Sequence, residues 1–136
     1  MKISISGLAL AALAACAAPT RTSLASPSVA GTTWVAALAG DVDPQQKPRL
    51  EFLADGRLGG YTGCNTLGGT WRLAGDAVQL GTLVMTKRAC LGPGADVEKR
   101  FLAAVNERAR VVIEGTRLVA QGAGGERVEF SAAPRP

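Results

Sequence analysis

Few side chains in this sequence can do chemistry, and the absence of any histidine decides much of what they can build. Without an imidazole, neither a Ser-His-Asp nor a Cys-His nucleophile can be assembled, and no catalytic residue is assigned. Carboxylate pairs are the remaining acid-base option, as Asp41 with Asp43 or Glu126 with Glu129. The first pair falls in a Pro-containing loop and the second on a strand expected to face solvent, so nothing marks either as buried or perturbed. The other reactive groups are three cysteines, Cys16, Cys64 and Cys90. With no histidine beside them a zinc site would be short of ligands, so no metal and no cofactor is expected.

The first cysteine belongs to an export signal. Lys2 gives a positive start, and Ile3 to Ala15 is a mostly apolar stretch of the length of a secretory core. It is shorter than the about 20 apolar residues a membrane span requires. It ends in Leu13-Ala14-Ala15-Cys16, which resembles the lipobox of bacterial lipoproteins, where the cysteine thiol receives a diacylglycerol. That resemblance implies a signal peptide over residues 1–15 and a lipid on Cys16 holding the protein to a membrane, since two or more acyl chains give stable anchoring. The next position is Ala17 and not Asp, which resembles lipoproteins passed on to the outer membrane, with the domain on the periplasmic side. Residues 16–30 read as a Ser/Thr/Pro/Ala-rich tether with too little apolar surface to order itself.

With Cys16 assigned to lipid, Cys64 and Cys90 remain, and an oxidising compartment favours a bridge between them. Closing that loop would contribute about 3.5 kcal/mol in the chain-entropy model. A redox-active pair and two reduced buried thiols are the alternatives; the first lacks a Cys-x-x-Cys spacing.

The elements that must position these groups are short alternating runs separated by turn residues. Strands are expected over residues 33–38, 49–53, 57–62, 69–73, 77–84, 110–114, 117–121 and 126–131. Asp55-Gly56 reads as a two-residue hairpin turn, and Gly59-Gly60 as a bulge or bend that lets the sheet curl. One helix, residues 95–108, carries Val97, Phe101, Leu102 and Val105 at helical spacing, with Asp96 able to cap its first turn. Trp34, Phe52, Trp71, Phe101 and Phe130 are the expected aromatic core. The fold class is thus α+β, mainly antiparallel, with about eight strands in a curled or cracked-barrel sheet and one late helix. One domain is expected over residues 31–131, with a frayed tail at 132–136.

Two groups of polar residues are candidate binding loops. Gly63 and Asn65 flank Cys64, where glycine permits close approach and the amide offers donor and acceptor atoms; the structural alternative is a turn that Gly63 shapes and Asn65 braces. Thr86, Lys87 and Arg88 offer an anion-binding rim beside Cys90, or else a solvated loop. The formal charge is only +4 and the arginines are scattered without interleaved aromatics, so no nucleic-acid partner is expected.

An ordered set of these residues resembles one family: Trp34, Leu50 to Leu53, Gly63-Cys64-Asn65, Gly69, Trp71, Leu80-Gly81, Thr86-Lys87-Arg88-Ala89-Cys90 and the helix from Glu98 to Val105. The chain is similar to the META domain, or HslJ-like, family over roughly residues 31–131. The Gly-Cys-Asn motif followed by Thr-x-x-Ala-Cys is its most specific part. One departure is Arg88, where that family often has methionine, so a packing role of that side chain does not carry over. The resemblance implies a small envelope or secreted domain without enzymatic activity, in a family with one member linked to heat induction and novobiocin tolerance. It also implies a fold similar to that of a secretin pilotin, a lipoprotein that binds acyl chains and escorts a pore-forming partner.

These readings lead to an outer-membrane lipoprotein, monomeric, acting as a stress-related binding or structural module on an envelope protein or a hydrophobic ligand. An inhibitor of a periplasmic lysozyme or protease is the alternative from another class, with the Cys64 loop entering an active cleft. Thiol-disulfide exchange by Cys64 and Cys90 is the third.

Overall fold

The computed structural model describes residues 28–38 and 43–134. The leader at residues 1–15, Cys16, Asp41 and the last residues of the tail lie outside the described residues. In chain order the elements are β1 (Thr32–Ala36), a 3-10 turn (Pro44–Gln46), β2 (Arg49–Phe52), β3 (Arg57–Tyr61), β4 (Thr66–Ala74), β5 (Ala77–Leu80), β6 (Val84–Met85), α1 (Pro93–Ala104), β7 (Arg110–Glu114), β8 (Arg117–Gln121) and β9 (Arg127–Ala132).

Every described pairing is antiparallel. The strands run β3-β2-β1-β9-β8-β7-β5-β4, and β3 pairs with β4 to close the ring, so eight strands form a barrel. The two-residue β6 lies outside the ring, continuing the line of β5 along β4. The expected α+β class, strand number and late helix are what the chain forms. Closure removes the unpaired edges that an open sheet would offer to other chains.

Alternation along each strand sends one side chain in two into the barrel. Trp34, Leu50, Phe52, Leu58, Leu67, Val78, Leu80, Val111, Leu118, Val128 and Phe130 are buried there. An eight-strand barrel is just wide enough for side chains to fill it. The helix closes the upper end, where the β1–β2, β3–β4 and β8–β9 connections gather, by lowering Val97, Phe101 and Ala104 onto the core. Phe101 is fully buried and meets Phe130 edge to face at 6.0 Å. The lower end, where the β2–β3, β4–β5 and β7–β8 turns lie, is covered by Val29, which is 5% exposed and part of the core.

Val29 corrects one expectation. The tether was drawn to residue 30 and the domain from residue 31, yet Val29 is buried and the Gly31 N–H donates to the Phe52 carbonyl at 2.7 Å. At the other terminus β9 runs to Ala132, and the Ala133 N–H donates to Thr33. The ordered domain is therefore longer at both ends.

Several boundaries also differ, each for a tertiary reason. The helix stops at Ala104 because Val105 turns into the core with extended backbone and the Asn106 amide donates to the Leu102 and Ala103 carbonyls, ending the helix four residues early. Its N-cap is Gly92, with Pro93 in the first turn, and Asp96 makes no capping hydrogen bond; it sits inside the first turn, where the helix dipole favours a carboxylate. The expected strand 77–84 breaks after Leu80 because Gly81 passes against Thr70, and the Leu83 N–H turns aside to the Glu107 carboxylate. Gly59 and Gly60 keep unbroken register with both neighbours, so no bulge forms. A Cβ on Gly60 would stand 2.6 Å from the Arg49 carbonyl oxygen, so glycine there allows close strand approach. In the β2–β3 hairpin the Leu53 N–H bonds Arg57, making the loop Ala54-Asp55-Gly56, one residue longer than expected. Gly56 takes the left-handed conformation, φ 85°, that this loop needs.

Because the helix is held mainly through its apolar face, Phe101→Ala is expected to destabilise the protein by about 3–5 kcal/mol. Urea unfolding followed by tryptophan fluorescence measures this, and a loss below 1 kcal/mol (about a fivefold change in the folding constant) would mean that the helix does not plug the barrel.

Candidate functional site

At the upper end, the β3–β4 turn and the segment after β6 are brought together around one side chain. Thr62 begins the turn by accepting, at its Oγ1, the N–H groups of Cys64 (3.2 Å) and Asn65 (2.8 Å). Gly63 then takes φ 97°, and a Cβ there would stand 2.7 Å from Val97 Cγ1 and 3.3 Å from Pro48. Glycine is thus needed twice, for its backbone angle and for the closeness of the helix.

Asn65 is 4% exposed, and its side chain faces inward. Its Oδ1 accepts from the Arg88 N–H at 2.7 Å and the Thr86 hydroxyl at 3.0 Å, while its Nδ2 donates to Glu98 Oε2 at 3.0 Å and to the Arg88 carbonyl at 3.3 Å. This orientation follows from its neighbours, since a carboxylate needs a donor and an N–H needs an acceptor. Glu98, reaching across from the helix, also accepts a hydrogen bond from the Thr62 hydroxyl. No buried side-chain polar atom among the described residues lacks a partner.

Cys64 and Cys90 are joined in a disulfide, with Cα atoms 6.0 Å apart. Cys64 is 3% exposed. The bridge and Asn65 therefore hold the same segment, one at Cys90 and the other at Thr86 and Arg88.

The two candidate loops thus divide differently from the sequence grouping. Gly63 and Asn65 are buried and brace the turn, and Gly63 also forms part of the wall of the cleft beside it. Thr86 is exposed like Lys87 and Arg88, but its hydroxyl is engaged within the protein, donating to the Asn65 amide oxygen and accepting the Thr66 N–H. Lys87 and Arg88 are exposed, as is Leu91, which is 93% accessible. Beside them lies a polar cleft of about 350 Å³ whose lining includes Asp43, Gln46, Tyr61, Gly63, Cys64, Arg88, Cys90 and Leu91. Arg49 stacks its guanidinium 5.6 Å from the Tyr61 ring centre. The cleft offers charge and hydrogen bonds, while its two sulfurs are bonded to each other.

The carboxylate pairs fare no better as acids or bases. Asp43 accepts the Gln45 N–H in the 3-10 turn. Glu129 is hydrogen-bonded by Arg127 and faces Arg117, which hold its carboxyl below its ordinary range; a general acid needs the opposite shift. No group of three His, Cys, Asp or Glu side chains gathers among the described residues.

Trp71 is only partly buried. It meets Phe52 edge to face at 5.5 Å, and its indole N–H donates to the Leu53 carbonyl at 3.0 Å. Leu73, two residues along β4 and so on the same face as Trp71, lies where β4 overshoots the barrel and is 61% exposed. The sequence assigns no bracing role to two residues of the cluster, Thr62 and Glu98. Thr62 had a local signal, a hydroxyl placed to serve N–H groups two and three positions on. Glu98 had none, because only packing the helix onto the barrel brings it there.

A closed antiparallel barrel plugged by one helix, with a disulfide pinning the turn after β3, defines a class of small α+β barrel domains. Within that class the chain belongs to the META domain family, whose model matches residues 27–135. Solved structures share the fold. The NMR structure of a protein from Burkholderia xenovorans is 23% identical, covering 79% of this chain and 85% of that one, with a TM-score of 0.60. The crystal structure of a DUF4847 family protein from Bacteroides vulgatus is 17% identical, covering 79% and 96%, with a TM-score of 0.53. No curated protein matches the chain.

If Asn65 is the brace, Asn65→Ala should cost about 3 kcal/mol by stranding the Arg88 N–H and the Glu98 carboxylate. N65D should cost at least as much at neutral pH, because it sets two carboxylates about 3 Å apart. Their shared pKa rises on folding, so stability should return as pH falls through the carboxylate range. Urea midpoints across pH test this, and an N65D variant as stable as wild type at neutral pH would contradict the network.

Proposed function

We propose that this protein is a lipid-anchored, non-enzymatic module of the cell envelope that binds another envelope protein through residues 86–91. The observation that carries this is the contrast within that segment. Its backbone is fixed by Asn65 and by the Cys64–Cys90 bridge, while Lys87, Arg88, Ala89 and Leu91 stand in solvent. A fixed backbone lowers the entropy lost on association, and exposed arginine and leucine beside a polar cleft give a partner both charge and an apolar contact. A protein surface suits this better than a hydrophobic ligand inside the barrel, whose interior is filled by side chains.

Anchoring rests on the lipobox ending in Cys16. No helix among the described residues is long and apolar enough to cross a membrane. Ala17 in place of Asp supports an outer-membrane location over inner-membrane retention, and the family resemblance supports a role under stress. The absence of histidine in the whole chain supports a task without nucleophilic chemistry.

The same rigid, exposed segment, in place of the expected Cys64 loop, whose Cys64 and Asn65 are buried, favours one second reading, inhibition of a periplasmic lysozyme or protease. Inhibitors place a pinned loop in an active cleft, and this loop has that form. Thiol-disulfide exchange is less well supported, since Cys64 is buried and its partner is held in the braced segment.

Intact-protein mass analysis of membrane-derived material should show a diacylglycerol-modified Cys16 after loss of residues 1–15, with the two-hydrogen deficit of the bridge. Unprocessed, acyl-free protein would overturn the anchoring. Titration of the protein against lysozymes and serine proteases should separate the two binding readings: inhibition abolished by R88A with L91A establishes the second, and its absence at micromolar levels (a Kd weaker than about −8 kcal/mol) removes it. Substrate turnover lost on changing one side chain would refute a non-enzymatic role.

A further inference from the structure

The barrel has two unlike ends, and the chain leaves it at only one of them. Both Ser28 and Pro134 lie at the lower end, opposite the helix and the disulfide, where they border clefts of about 250 and 450 Å³. Two of the exposed large apolar side chains lie at this end, while Val84, Met85 and Leu91 lie toward the other. Leu53 is 39% and Leu73 61% exposed, and the half-buried Trp71 bonds the Leu53 carbonyl and lines a cleft with Leu73.

Ion pairing differs between the ends. At the lower end Asp55 is paired with Arg57 at 2.6 Å, Asp76 with Arg110 at 3.3 Å and Glu114 with Arg127 at 3.6 Å, whereas Arg72 has no carboxylate partner among the described residues. At the upper end Asp96, Glu107 and Glu126, and equally the cations Lys47, Lys87, Arg88, Lys99, Arg100 and Arg108, make no ion pair among the described residues, so charge does not by itself set the two ends apart.

We propose that the lower end docks on the lipid bilayer, with Leu53 and Leu73 in the interfacial region and Trp71 between them, so that residues 86–91 point away from the membrane. This rests on the lipid-anchor reading above. Even fully extended, residues 17–27 reach no more than about 40 Å, so a lipid on Cys16 keeps Ser28 and the end around it near the bilayer. Leucine side chains with an amphipathic indole are the composition that partitions into the headgroup region.

The test uses the full lipidated protein reconstituted into vesicles of phosphatidylethanolamine and phosphatidylglycerol, with acyl chains brominated near the glycerol or left plain. Trp34 and Trp71, the protein's tryptophans, both border lower-end clefts, so indole emission reads this end. The expected result is a loss of emission in brominated vesicles that is abolished in L53E/L73E, and reduced in the milder L53S/L73S, while the variants still float with the vesicles and keep the wild-type urea midpoint. Equal emission in both kinds of vesicle, or the same loss in the variants, overturns the docking while leaving the anchor intact. Protein that fails to float with the vesicles removes the anchor and the docking together.

Discussion

The side chain of Asn65 is the constraint on which the upper end of this protein depends. An amide buried in a barrel rim must find partners for its oxygen and its nitrogen, and here they come from the segment after β6 and from the helix. Each of those partners is far away in sequence. Satisfying one buried side chain therefore ties the β3–β4 turn, the Cys90 segment and α1 into one body. The disulfide acts on the same segment by a different means, limiting the freedom of the unfolded chain, whereas Asn65 selects one geometry in the folded one. Together they allow a loop with almost no regular structure to keep a fixed shape in water.

That division of labour explains the distribution of exposure. The groups which hold the loop face inward and have their hydrogen-bonding capacity filled, while the groups which face outward bear no structural load. A binding surface made in this way can vary in its side chains without risk to the fold. Arg88 illustrates it: its backbone N–H and carbonyl are both bound by Asn65, and its side chain lies in solvent. A methionine at that position in relatives would change the contact surface and leave the brace untouched.

The barrel itself is closed at both ends by different devices. A helix seals the upper one through Phe101 and its apolar neighbours, and Val29 covers the lower one. The second seal belongs to the stretch by which the chain approaches the domain. Any attachment upstream is then mechanically continuous with the core, and the end of the barrel nearest the attachment is fixed by topology. The loop braced by Asn65 stands at the opposite end.

Much of this was legible in the residues. Alternation marked the barrel strands, glycine-containing turn residues marked their ends, and the spacing of Val97, Phe101 and Leu102 marked the helix, because these signals are local consequences of burying one face. The cysteine and Gly-Cys-Asn motifs pointed to the region of the site. What the tertiary structure decided was which polar residues brace and which are free: Asn65 turned inward, Thr86 lent it a hydroxyl from the surface, Lys87 and Arg88 faced outward, and Glu98 arrived from the helix. It also decided that Val29 joins the core, that Leu73 overshoots it and that the helix stops at Ala104. Sequence spacing fixes which side of an element a residue occupies. Only the packing of elements against one another fixes what that side meets, and a buried amide or carboxylate takes its role from what it meets.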